Sequence, residues 1–104
     1  MAPPKKSHTI ILVQFTNDFS SRTFMDFPTT ASSLDALVKM YETRLKELNP
    51  RQSNITYDIN HLYQYLDSLE DVCCLTLGND NKYVPHDRAW IKERIFSQLK
   101  GQAA

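Results

Sequence analysis

The chain has 104 residues, 41% of them apolar, and 12 Lys plus Arg balance 12 Asp plus Glu. That length holds one domain with a core between two layers, and that apolar content fits a folded protein rather than a disordered one. A zero net charge supplies no long-range pull on phosphate, which disfavours nucleic-acid binding by the chain alone.

In chain order, residues 1–6 read as a disordered tail. Its short basic word, Pro3-Pro4-Lys5-Lys6, is a solvated leader rather than a nuclear signal. His8 to Phe15 reads as a first strand. A strand with one face in water alternates apolar and polar residues, and this one does not. Ile10 and Leu12 point one way, Ile11 and Val13 the other. Thr16 to Ser21 is a polar loop that lacks the Asn-Gly of a tight hairpin. Arg22 to Phe27 is a second strand, stopped by Pro28. Thr29 to Ser33 offers helix caps, and Leu34, Leu37, Val38, Tyr41, Leu45 and Leu48 then recur at helical spacing until Asn49-Pro50. Asp58 caps a second helix whose stripe is Ile59, Leu62, Tyr63, Leu66 and Leu69. Val72 to Leu77 is a third strand, Gly78-Asn79-Asp80-Asn81 a turn, and Lys82 to Pro85 a short fourth strand. Asp87 caps the last helix, which carries Trp90, Ile91, Ile95 and Leu99, with Gly101 as its C-cap. Residues 7–100 thus form a single domain and 101–104 a C-terminal tail.

The order β-β-α-α-β-β-α predicts an α+β fold: one four-stranded antiparallel sheet with three helices on one face. The helices hide one side of the first strand. Either a partner covers the other side or the sheet curls on itself, and four short strands cannot close a barrel. A second copy of the chain can supply the missing layer. The parity Thr9, Ile11, Val13, Phe15 is the more apolar and is assigned to the helix-covered core. The parity His8, Ile10, Leu12, Gln14 has an apolar centre and polar ends, the anatomy of an interface. Ile10 and Leu12 are therefore the predicted dimer contacts.

No constellation for chemistry stands out, so no catalytic residue, metal ligand or cofactor is assigned. His8, His61 and His86 are scattered, without a two-His spacing. His61 falls off its helix's apolar stripe, and Asp87 as a cap accounts for His86-Asp87. Cys73 and Cys74 are adjacent, so on a strand their side chains diverge; both read as small buried apolar groups. They offer no disulfide framework, which points to a reducing, intracellular compartment, and Asn54-Ile55-Thr56 is then a chance glycosylation match. The first apolar run is too short for a signal-peptide core or a membrane span. With two glycines in the whole chain, a glycine-rich phosphate loop is excluded. Thr23 and Ser32 each precede an acid by three residues, an acidic-directed phosphorylation pattern. Ser32 is also what a helix start looks like; Thr23 stands as the candidate modification site. If its strand lines the dimer contact, a phosphate there weakens the dimer. The plentiful aromatics raise a second reading, direct stacking of single-stranded RNA on the sheet, although no RNP-like word is present.

Several words in the chain resemble one family. They are Ser7-His8-Thr9-Ile10-Ile11-Leu12-Val13-Gln14, Arg22-Thr23 with Asp26, Lys39-Met40-Tyr41-Glu42, Asn49-Pro50, Ile55-Thr56-Tyr57-Asp58-Ile59, Tyr83-Val84-Pro85 and Trp90-Ile91-Lys92-Glu93. Their order and spacing, from Ser7 to Leu99, are similar to the enhancer of rudimentary homologue family. That resemblance implies a small non-enzymatic nuclear protein, with the cytoplasm as a second compartment. It implies a homodimer formed through the open sheet face. It also implies a scaffold that holds short segments of RNA-processing or RNA-binding proteins, such as a YTH-domain RNA-elimination factor or the double-stranded-RNA-binding subunit of the Microprocessor. On this reading the partners are a second copy and such segments, with no direct nucleic acid and no membrane.

Overall fold

β1 (Thr9–Gln14) is paired along both of its edges in the computed structural model, which describes residues 7–103. β2 (Arg22–Phe27) and β3 (Asp71–Leu77) both run antiparallel to it, and β4 (Tyr83–His86) runs antiparallel to β3. The spatial order is β2-β1-β3-β4. This is the four-stranded α+β arrangement expected from the pattern of elements. β4 sits one residue later than the sequence suggests, and its Pro85 is tolerated because β4 is an edge strand.

The register sorts the sheet into two faces. Thr9, Ile11 and Val13 of β1, with Val72 and Cys74 of β3, are buried beneath the helices. The opposite parity carries Ile10 and Leu12 and has no helix over it. The turn between β3 and β4 explains its own composition. Gly78 N–H donates to Lys82 O at 2.7 Å, and a Cβ on Gly78 would lie 3.1 Å from that same oxygen. Asn81 takes the left-handed conformation, φ 62°, which asparagine tolerates better than most residues.

Three helices cover the inner face: α1 (Thr30–Leu48), α2 (Ile59–Ser68) and α3 (Arg88–Ala103). The first two begin with capping boxes. Thr29 and Ser32 exchange side-chain and backbone bonds at α1, and Asp58 and His61 do so at α2. Asp87 Oδ1 accepts from Trp90 N–H at 3.0 Å at the start of α3. Leu34, Leu37, Val38, Tyr41, Leu62, Leu66, Ile91 and Ile95 close over the sheet as one core.

Two expectations about helix ends are corrected. Leu48, the last residue of the predicted α1 stripe, is 61% exposed. A helix of 19 residues runs about 28 Å, whereas a six-residue strand runs about 20 Å, so the final turn overhangs the sheet. Gly101 does not cap α3, which continues to Ala103. A glycine cap needs a left-handed residue. Among the described residues no glycine has positive φ. Gly101 is an ordinary helical position with nothing within 4 Å of an added Cβ.

Candidate functional site: the open sheet face

Three rows cross the open face. Arg22, Gln14 and Asp71 lie side by side at one end; Phe24, Leu12 and Cys73 form the middle; Asp26, Ile10, Leu75 and Pro85 follow. Leu77 and Tyr83 complete the far end beside His8. Phe24 is 70% exposed, and Leu12 and Tyr83 are each 41% exposed. A single chain thus leaves an aromatic ring and an aliphatic side chain of adjacent strands together in water. A shallow groove of about 320 Å³ opens among Leu12, Gln14, Arg22, Phe24 and Asp71.

Polar networks tie down both ends of this apolar centre. Gln14 is buried although it lies on the open parity. Its Nε2 donates to Thr16 O at 2.8 Å, and its Oε1 accepts from Arg22 Nε at 2.8 Å. The Arg22 guanidinium stands 4.3 Å over the Phe19 ring. At the opposite end His8 Nε2 lies 3.2 Å from Asp26 Oδ2, while His8 Nδ1 meets the Tyr83 hydroxyl. That chain of side chains links β2 to β4 across the sheet.

The predicted site residues divide cleanly. Ile10 and Leu12 both lie on the open face, Ile10 half-buried and Leu12 exposed. Thr23 pairs with Val13 and so belongs to the helix-side parity, exposed at the sheet edge. β2 does line the open face, through Arg22, Phe24 and Asp26, but a phosphate on Thr23 would leave from the other side. Cys73 and Cys74 diverge as expected. Cys74 is fully buried among the helices, and burial pushes its thiol up to about 11. Cys73 is only half-buried, beside Leu12 on the open face, so the reading of both as buried holds for one. The sequence pattern alone does not place Arg22, Phe24, Cys73 or Leu75 on this face. The alternation Arg22-x-Phe24-x-Asp26 was the available signal, but it needs the register with β1 to acquire a side.

Elsewhere the histidines serve the fold. His61 Nδ1 accepts from Asp58 N–H at 3.3 Å. His86 stacks on Trp90 at 3.8 Å and bonds Thr76 Oγ1 at 2.9 Å; burial, helped by Arg94, holds its pKa below the ordinary value. Among the described residues no group of three or more His, Cys, Asp or Glu could hold a metal ion. No helix among them is long and apolar enough to cross a membrane.

The chain matches the enhancer of rudimentary family over residues 5–104. It belongs to that family. Enhancer of rudimentary homologues from Dictyostelium discoideum, Arabidopsis thaliana and Caenorhabditis elegans are 45%, 43% and 39% identical to it. The matches cover 90%, 89% and 92% of this chain, and 95%, 86% and 94% of the relatives. None of these family names is that of an enzyme. The words that carry the resemblance include β1 and both charged members of the β2 triplet, so part of the open face, though nothing of β3, is built from segments that mark the family.

Proposed function

We propose that this family member is a non-enzymatic homodimeric adaptor of nuclear RNA metabolism. Two copies pack open face to open face, and the dimer holds short segments of RNA-processing or RNA-binding proteins. The observation that carries this reading is the open face itself: Ile10, Leu12, Phe24, Leu75 and Tyr83 grouped on the uncovered side, with hydrogen-bonded polar groups at the two ends. Contiguous apolar surface of that kind marks a contact, and a dry middle with a wet rim is how protein interfaces are built. Each aliphatic buried there is worth roughly 1.5–3 kcal/mol, counted on both copies.

Direct RNA binding fits less well. Base-stacking sheets place aromatics over the middle of the sheet. Here the two central strands offer Ile10, Leu12, Cys73 and Leu75, and the face aromatics Phe24 and Tyr83 stand on the two edge strands.

Light scattering tests the dimer. Wild type is expected at twice the 12.1 kDa chain mass, and the Ile10→Arg, Leu12→Arg double variant as monomer or aggregate, because it buries unpaired charge. A monomeric wild type at micromolar concentration overturns the reading. Capture from nuclear extract by wild type, lost in the double variant, tests the adaptor role. Sub-micromolar, salt-sensitive binding of labelled single-stranded RNA by the isolated chain would favour the RNA-binding reading instead.

A further inference from the structure

We propose that His86 is a proton-operated latch on the helix side of the sheet. Neutral, it fastens the edge strand β4 to β3 and α3; protonated, it lets β4 go. Without it the strand is thinly attached. β4 has four residues and one neighbour, β3, and its Pro85 has no N–H to give the ladder. Tyr83, Val84 and Pro85 are exposed, and His86 alone is partly buried. Among the described residues the core takes no side chain from this strand.

The imidazole is held from two elements. Its ring lies on Trp90, one helical turn along α3, with centroids 3.8 Å apart and planes 15° from parallel. Its Nε2 lies 2.9 Å from Thr76 Oγ1 of β3. Trp90 is fixed in turn by the α3 cap, where its N–H donates to Asp87 Oδ1 at 3.0 Å.

The surroundings of the ring favour its neutral form. From β3 come Thr76 and, directly opposite in register, Cys74, which is buried and keeps its thiol proton up to about 11. From α3 come Trp90 and Arg94, whose guanidinium stands 5.3 Å from the centre of the same indole. An indole face attracts a cation. This indole already has one, and a second beside it meets repulsion. Burial first, and Arg94 after it, work against the imidazolium; Asp87 offsets part of this, with one of its oxygens engaged at the cap. The closed state therefore prefers the neutral ring, and a proton shifts the balance toward the open one. Since β3 stays paired with β1, β4 can leave without the core. Its departure also parts Tyr83 from His8.

Two readouts test the latch. Trp90 is the one tryptophan of the chain, so its emission reports the stack. Amide hydrogen exchange by NMR, corrected for intrinsic rates, reports the pairing of β4. As pH falls from 6.5 toward the lowered value of His86, protection of the β3–β4 amides should drop by up to about tenfold per pH unit, while the β1–β2 amides keep theirs. Trp90 emission should follow the same curve. His86→Gln keeps a hydrogen bond for Thr76 and cannot take the proton; His86→Phe keeps a ring on Trp90. Both should be flat over that range. Arg94→Gln removes the opposing cation and should move the midpoint to higher pH. His8→Asn should leave the midpoint in place, although His8 also touches β4. Equal loss of protection in β1–β2 would be global acid unfolding and overturns the latch. So does a transition that survives in both His86 variants, one that vanishes in His8→Asn, or a midpoint that Arg94→Gln leaves unmoved.

Discussion

Leu37 and Leu48 lie on the same helix and in the same helical-spacing stripe, yet one is fully buried and the other 61% exposed. Leu37→Ala should cost about 2–5 kcal/mol in urea unfolding, the range for a cavity in a packed core. Leu48→Ala should stay within about 0.5 kcal/mol. Two titrating groups make the pH profile asymmetric. His86 has a lowered pKa in the fold, chiefly through burial. The unfolded chain therefore takes up the proton first, and stability should fall as pH drops below about 6.5. Cys74 has the opposite sense. Its thiol is raised from 9.0 to about 11, so the unfolded chain ionises first, and stability should fall as pH rises from 9 toward 11. Tyr41, Tyr57 and Tyr65, all raised by burial, add to that alkaline loss. Melting temperatures across the range should be flat between these limbs; replacing His86 with Gln should remove the acid limb's histidine component.

Elements whose ends are written in local chemistry were legible from the sequence. Asp58 and Asp87 cap the helices their sequence positions announce, Asn49-Pro50 closes α1, and β2 runs from Arg22 to Phe27, up to the proline that stops it. Local bonds of this kind need no knowledge of the rest of the chain. Thr29→Ala and Asp58→Ala should each cost about 1 kcal/mol in the same unfolding assay. Gly101→Ala should be neutral or slightly stabilising, because a helical glycine carries an entropy cost and the added methyl meets nothing. What the sequence did not disclose is the order β2-β1-β3-β4. Pairing β1 with β3 joins residues far apart in the chain, and no local residue encodes it. Hence the Asp26–His8–Tyr83 chain and the row Phe24–Leu12–Cys73 cannot be assembled from the sequence. Thr23 was singled out by its neighbours alone, and its side of the sheet came only from the pairing with Val13.

For the molecule as a whole, that sidedness changes what modification of Thr23 should do. Thr23 lies on the helix-side parity of the sheet, so the proposed face-to-face contact would leave it outside. Thr23→Glu should therefore dimerise within about threefold of wild type, the effect of one exposed charge. A strong loss would mean that β2 twists its other parity into the contact. The proposed homodimer would carry two equivalent partner sites, since an isologous assembly repeats every surface twice. Calorimetry with a partner peptide identified by capture should give one peptide per chain; one per dimer would place the site on the axis.

Cys73 and Cys74 are consecutive, yet the sheet stands between their sulfurs. One thiol is sealed by the helices and is freed only when the chain unfolds; the other opens onto the uncovered side. The molecule thus carries two natural reporters read by the same reagent. In a native thiol-exchange assay, Cys73 should react first, and more slowly as protein concentration rises and copies associate. Cys74 should react at the unfolding rate, whatever the concentration.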